Sequence, residues 1–98
     1  MGKNRPIKFR ILELLLDGKE YWNYEIVSKI QEEYGMKSNF HRDSINFDIL
    51  ELASGGMLKD VEQKVDEEGV YKKDFLLHRY TITDFGKVRA SDACLRGL

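Results

Sequence analysis

Ninety-eight residues, 42% of them hydrophobic and 34% charged, with a single proline, describe one domain with a core of its own and exclude a low-complexity or disordered chain. Sixteen Lys and Arg against seventeen Asp and Glu leave a net charge of -1, which excludes a uniformly basic coat protein; a polyanion would have to be met by a local patch. A chain of this size buries only roughly 60 to 65% of its unfolded surface, so a homo-oligomer is an expectation from the start, with residues 1–98 read as one domain.

Met1 and Gly2 open like a myristoylation site, but Pro6 stands where that motif wants Ser or Thr. The apolar stretch over residues 11–16 is interrupted by Glu13 and is far shorter than the roughly 18 residues of a membrane span, so no membrane association is expected. From Pro6 to Asp17, Ile7, Ile11, Leu14 and Leu15 share one helical face, widened by Leu12 and Leu16, with Pro6 suited to the entrance and Gly18 to the exit. Tyr21 and Trp22 follow as a short aromatic run. Asn23 is then expected to cap a second helix over residues 24–34, whose inner face carries Ile26, Val27, Ile30 and Tyr34 and which Gly35 closes.

A polar stretch over residues 36–39 leads to a third helix with Ile45, Ile49 and Leu52 on one face, stopped by Ser54, Gly55 and Gly56. The period then changes to two. Met57, Val61 and Val65 share one parity, and Leu76, His78, Tyr80 and Ile82 share that of a second strand. The polar segment over residues 66–74, with Gly69 inside it, reads as the long mobile tip of a hairpin. Thr83 and Asp84 cap a short last helix carrying Val88 and Leu95.

Three helices, a hairpin and a final helix are the element order of an α+β winged helix-turn-helix domain: a three-helix bundle, a two-stranded β-hairpin wing and a short C-terminal helix. Three strings resemble the PadR-type transcriptional regulators. YEIVSKIQEEYG over residues 24–35 is similar to their second helix. Ile49, Leu52, Gly56, Met57 and Leu58 fall where that family leads out of its recognition helix, and YTITDFG over residues 80–86 is similar to its Tyr-x-Leu-Thr-x-x-Gly ending of the wing. The resemblance spans residues 7–90 and implies a DNA-binding regulator acting as a dimer. It departs at the end, where those regulators have a longer C-terminal helical region for the dimer and this chain reaches Leu98. Short archaeal or viral winged-helix proteins are an equal likeness.

With Ile45, Ile49 and Leu52 inward, Phe40, Asp43, Asn46, Phe47 and Leu50 point outward at 100° per residue. Asn46 has the donor and acceptor for a bidentate adenine contact, unless it is simply solvated, and Phe47 can touch a thymine methyl or serve as a packing surface. Ser38, Asn39 and Ser44 can reach a phosphate or a base edge, although Ser38 or Asn39 equally suits the cap of the third helix. Lys37 and Arg42 stand at that helix's entrance, where a basic side chain meets a phosphate. On the hairpin tip, Lys72 and Lys73 are placed for the backbone or the minor groove, opposed by Asp66, Glu67 and Glu68; Lys64 and Arg79 add charge lower down the strands.

Trp22, Phe75, Tyr80 and Ile82 read as core or sheet-face residues. His41 reads as a turn residue and His78 as a half-buried strand residue, neither with a second metal ligand at usable spacing. Cys94 reads as a packing residue or an exposed thiol in the last turn, and a lone cysteine fits the reducing cytoplasm. No glycine-rich phosphate loop, nucleophile elbow or paired-carboxylate spacing stands out, so neither a catalytic site, a metal nor a cofactor is expected.

The expected function is therefore sequence-specific binding of double-stranded DNA by a homodimer, with transcription regulation as the purpose. Asp43, Phe47 and Leu50 argue for a rival: a winged-helix module whose outward face, with Phe40, meets a protein partner instead.

Overall fold

The computed structural model describes residues 6–95, with side chains through Ser91, so the readings of Cys94 and Leu95 fall outside the described side chains. Helix α1, Ile7–Leu14, starts behind Pro6, whose carbonyl accepts the amides of Phe9 and Arg10 at 3.1 and 3.2 Å. The pyrrolidine ring fixes φ there without sacrificing a helical N–H, since the first amides of a helix have no partner within it. A single 3-10 turn, Leu15–Asp17, tightens the exit, and Gly18 turns the chain away at φ 79°. That left-handed geometry is one that side chains resist.

Strand β1 is only Tyr21–Trp22, and helix α2 follows as Asn23–Tyr34. Asn23 is not the cap. The Glu25 carboxylate reaches back to accept the Trp22 amide at 2.8 Å, so the first turn is satisfied from within. Asn23 is free to turn inward and is 3% exposed. Helix α3, Asn39–Ser54, is capped as one reading of the sequence had it: Ser38 Oγ accepts the His41 amide at 3.1 Å.

Strands β2, Leu58–Val65, and β3, Leu76–Ile82, form the antiparallel hairpin, and β1 adds to the far side of β3, giving the order β1-β3-β2. The sheet thus has three strands where the sequence suggested two, because a two-residue strand carries no readable period. The parity expected for β2 also fails. Its register shifts between Asp60 and Glu62, so Leu58 pairs with Ile82 and Asp60 with Tyr80 before the irregularity, and Val65 with Leu76 after it. Paired residues share a face, which makes Leu58 rather than Met57 the buried residue at the strand's start. An extra residue in one strand inverts the alternation beyond it.

The core joins Ile11, Leu12 and Leu15 of α1 to Ile26, Val27 and Ile30 of α2, Ile45, Ile49 and Leu52 of α3, and Leu58, Tyr80 and Ile82 of the sheet. Helix α4, Asp84–Leu95, contributes Ala90, while Val88 is exposed. Thr83 caps α4 by accepting the Gly86 amide at 3.0 Å, and its hydroxyl donates toward the Gly56 carbonyl at 2.7 Å. Phe75, read as core or sheet face, is exposed instead: it precedes β3 in the hairpin tip, outside the core cluster, and the Lys72 ammonium stands over its ring. Tyr80 is buried as expected, and burial together with the nearby Asp60 charge pushes its hydroxyl up to about 12.

Four α-helices and a three-stranded antiparallel sheet among the described residues make an α+β architecture compatible with a winged-helix-like fold. No helix among the described residues is long and apolar enough to cross a membrane.

Candidate nucleic-acid interface

The hairpin tip is closed by hydrogen bonds of its own. Asp66, 2% exposed, turns its carboxylate inward and accepts three backbone amides, Val70 at 2.9 Å and Tyr71 and Lys72 at 2.8 Å. The main chain adds Asp66 N to Phe75 O and Asp74 N to Asp66 O, both 2.8 Å. Desolvation works against the Asp66 charge, but the amides outweigh it and hold the carboxyl below the usual aspartate range. Asp66 is thereby turned into the loop and its carboxylate is shielded from solvent, whereas Glu67 and Glu68 remain exposed.

This closed tip leans onto the first turns of α3. Arg42 Nη1 donates to the Tyr71 carbonyl at 3.3 Å, and its guanidinium carbon stands 5.0 Å from the Tyr71 ring centre. Asp43 Oδ1 collects Arg42 Nε at 3.1 Å, the Tyr71 hydroxyl at 3.2 Å and Lys72 Nζ at 3.2 Å. Burial opposes the Asp43 charge, yet the Lys72 and Arg42 bonds prevail and depress its carboxyl. Burial first, and Asp43 second, push the Tyr71 hydroxyl up to about 12. Lys72 Nζ also lies 5.2 Å from the Phe75 ring centre, a cation-π distance.

Arg42 and Lys72, far apart in sequence, are therefore brought together, with an acidic residue between them. Lys37, Asn39, Ser44 and Lys73 are exposed, and Ser38 is occupied as the α3 cap. Along the outward face of α3, Phe40 is 77%, Phe47 59% and Leu50 42% exposed. Asn46 does not join this face: it is half-buried, and its Oδ1 accepts Asn23 Nδ2 at 3.2 Å. A bidentate adenine contact would need that same oxygen.

Lys64 and Arg79 stand on the sheet face away from the core. Lys64 Nζ is 4.5 Å and the Arg79 guanidinium 5.5 Å from the Trp22 ring centre, and Arg79 pairs with Glu20 and Glu62. His78 is half-buried as expected, but Nδ1 meets Asp60 Oδ2 at 2.6 Å, a partner that only the strand pairing supplies. No cluster of three or more His, Cys, Asp or Glu able to hold a metal occurs among the described residues.

Sequence reasoning missed Tyr71 and the inward role of Asp66. The signal was present for Asp66: an aspartate at the foot of a glycine-containing turn commonly binds the backbone ahead of it. Nothing local pointed Tyr71 at Asp43. Comparison with protein-family models, curated proteins and solved structures gives no match to this chain.

Proposed function

We propose that this chain is a winged-helix DNA-binding protein and a transcriptional regulator, working in the cytoplasm as a homodimer on double-stranded DNA. Helix α3 enters the major groove, and the β2-β3 hairpin serves as the wing on the backbone or in the minor groove. It binds and does not catalyse. The observation that carries this reading is the junction at Asp43: Arg42 of α3 and Lys72 of the hairpin tip meet there, so helix and tip form one continuous surface. Lys37, just before α3, and Lys73, next to Lys72, are both exposed.

Phosphate contacts from Lys37, Arg42, Lys72 and Lys73 set the register, while Asn39, Ser44 and Phe47 face the bases. The dimer forms through α1 and α4. A cleft of about 390 Å3 between α1, α3 and α4 is lined by apolar residues including Ile7, Phe9, Leu12 and Met57 together with the charged Lys8, Asp48 and Arg89, and Phe85 and Val88 are 52% and 62% exposed on α4. Two copies so joined would address half-sites about 34 Å apart, one turn of duplex.

The test is titration of a random-sequence duplex, followed by fluorescence anisotropy at about 50 mM salt, where non-specific phosphate contacts are strong. Binding is expected, and Lys72→Ala with Lys73→Ala should flatten the slope of log affinity against log salt by up to about two. Absence of binding would favour the second reading, a protein-interaction module. The exposed apolar line of Phe40, Phe47 and Leu50 supports that rival, since large apolar side chains in a row mark contact surfaces. Phe47→Ser would then abolish partner capture.

A further inference from the structure

The geometry around Asp43 has the form of an occupied anion site. Three donors from two elements, Arg42 Nε, the Tyr71 hydroxyl and Lys72 Nζ, point at the single oxygen Oδ1. Each of the three residues also makes a contact that does not involve that oxygen. Arg42 is anchored through Nη1 to the Tyr71 carbonyl, and the backbone of Tyr71 and Lys72 is held by the buried Asp66 carboxylate. Lys72 is further steadied over the Phe75 ring. The occupant, by contrast, lies on the solvent side: the Asp43 side chain is 46% exposed, against 23% for Arg42 and 31% for Lys72. The contacts that hold Arg42 and the backbone of Tyr71 and Lys72 do not run through the Asp43 carboxylate.

We infer that Arg42, Tyr71 and Lys72 form a phosphate site whose resident anion in the free protein is the Asp43 side chain, which a phosphodiester of the nucleic acid must displace. Fixed cationic and hydroxyl donors aimed at one point suit a tetrahedral oxyanion, which shares its charge over several acceptor oxygens. Asp43 then sets affinity by competition. Weak or stray polyanions fail to displace it, and a duplex that also fills the α3 face succeeds. This inference rests on the nucleic-acid reading of the same surface, and it adds Tyr71 as a contact and Asp43 as a gate.

The test compares the full chain with Asp43→Ala and the near-isosteric Asp43→Asn, each checked for unchanged thermal unfolding of its helices by circular dichroism. Duplex affinity is read by anisotropy across salt, and inorganic phosphate is titrated while the Tyr71 and Lys72 amide signals are followed by NMR. Asp43→Ala should bind duplex about tenfold more tightly, with a slope of log affinity against log salt steeper by about one, and Asp43→Asn should fall between it and the unmodified chain. Inorganic phosphate should shift the Tyr71 and Lys72 amides in Asp43→Ala far more than in the unmodified chain, and Tyr71→Phe added to Asp43→Ala should reduce both effects. If the unmodified chain binds duplex and Asp43→Ala binds it no better, the gate is overturned while the DNA-binding reading stands. If Asp43→Ala takes up inorganic phosphate and neither protein binds duplex, the phosphate site stands and the DNA-binding reading falls. If Asp43→Ala takes up neither, the inference is overturned.

Discussion

Asn23 and Asn46 are bonded side chain to side chain, Nδ2 to Oδ1 at 3.2 Å, and Asn23 Oδ1 in turn accepts the His78 amide at 3.3 Å. Asn23 stands directly after β1, so its side chain extends the β1-β3 ladder by one bond and hands α3 a fixed partner. A residue that the unaided sequence offers as a base reader is thus bonded within the fold, tying α3 to the start of α2. Asn23→Ala should cost about 1 to 3 kcal/mol, because it leaves the His78 amide and the Asn46 carbonyl without their partner. A double-mutant cycle with Asn46→Ala in urea denaturation should return a coupling of about 1 kcal/mol. Duplex affinity should fall alike for all sequences in Asn46→Ala, with no selective loss at adenine.

Gly86 is held at a close backbone approach. A Cβ there would lie 2.2 Å from the Met57 carbonyl oxygen and 2.7 Å from Ile82 Cγ1. Unlike a flexible side chain, a carbonyl anchored at the foot of β2 cannot step aside, so Gly86→Ala should cost about 3 kcal/mol or more. For a domain of this size that lowers the midpoint of thermal unfolding by on the order of 10 °C or more. Ser91→Ala, exposed on the same helix, should leave the stability within about 0.5 kcal/mol of unchanged.

Acid should open the hairpin tip before the core. Asp66, whose carboxylate holds the tip, titrates below the ordinary aspartate value in the folded chain. A depressed carboxyl contributes its full stabilisation above the unfolded pKa of about 3.9 and loses it as the pH falls through the folded value. The Val70, Tyr71 and Lys72 amides should therefore keep their hydrogen-exchange protection from pH 7 to pH 5 and lose it toward pH 2, once the intrinsic pH dependence of exchange is removed. Asp66→Asn should already lack that protection at pH 7, by about tenfold.

Burial alone does not set the cost of truncation. Ile49, fully buried where three helices meet, should cost about 4 to 5 kcal/mol on change to Ala, near the upper end for such sites. Leu77 is 1% exposed yet lies apart from that core, beside an open cleft with Tyr24, Val65 and Val70. Its surroundings can close in, so Leu77→Ala should cost only about 2 to 3 kcal/mol. Urea midpoints of the two variants check the difference.

Most of the helical skeleton was legible from periodicity. Ile11, Leu15, Ile26, Ile30, Ile45, Ile49 and Leu52 recur at helical spacing, and all are buried. The sheet was less so. Two residues are too few to show a period, and the irregularity between Asp60 and Glu62 breaks the alternation on which a strand is recognised.

The candidate site divides along the same line. Arg42, Lys72 and their neighbours could be chosen from the sequence because charge and position along the chain are local properties. That Arg42 and Lys72 share one carboxylate and that Asn46 is spent on Asn23 are facts about residues 30 and 23 positions apart. Local sequence determines which segments coil and which face of each is apolar, since those follow from side-chain spacing of a few residues. Which polar groups are left for a ligand was decided only when the hairpin closed onto α3, because a buried donor or acceptor must take whatever partner the tertiary fold brings within reach.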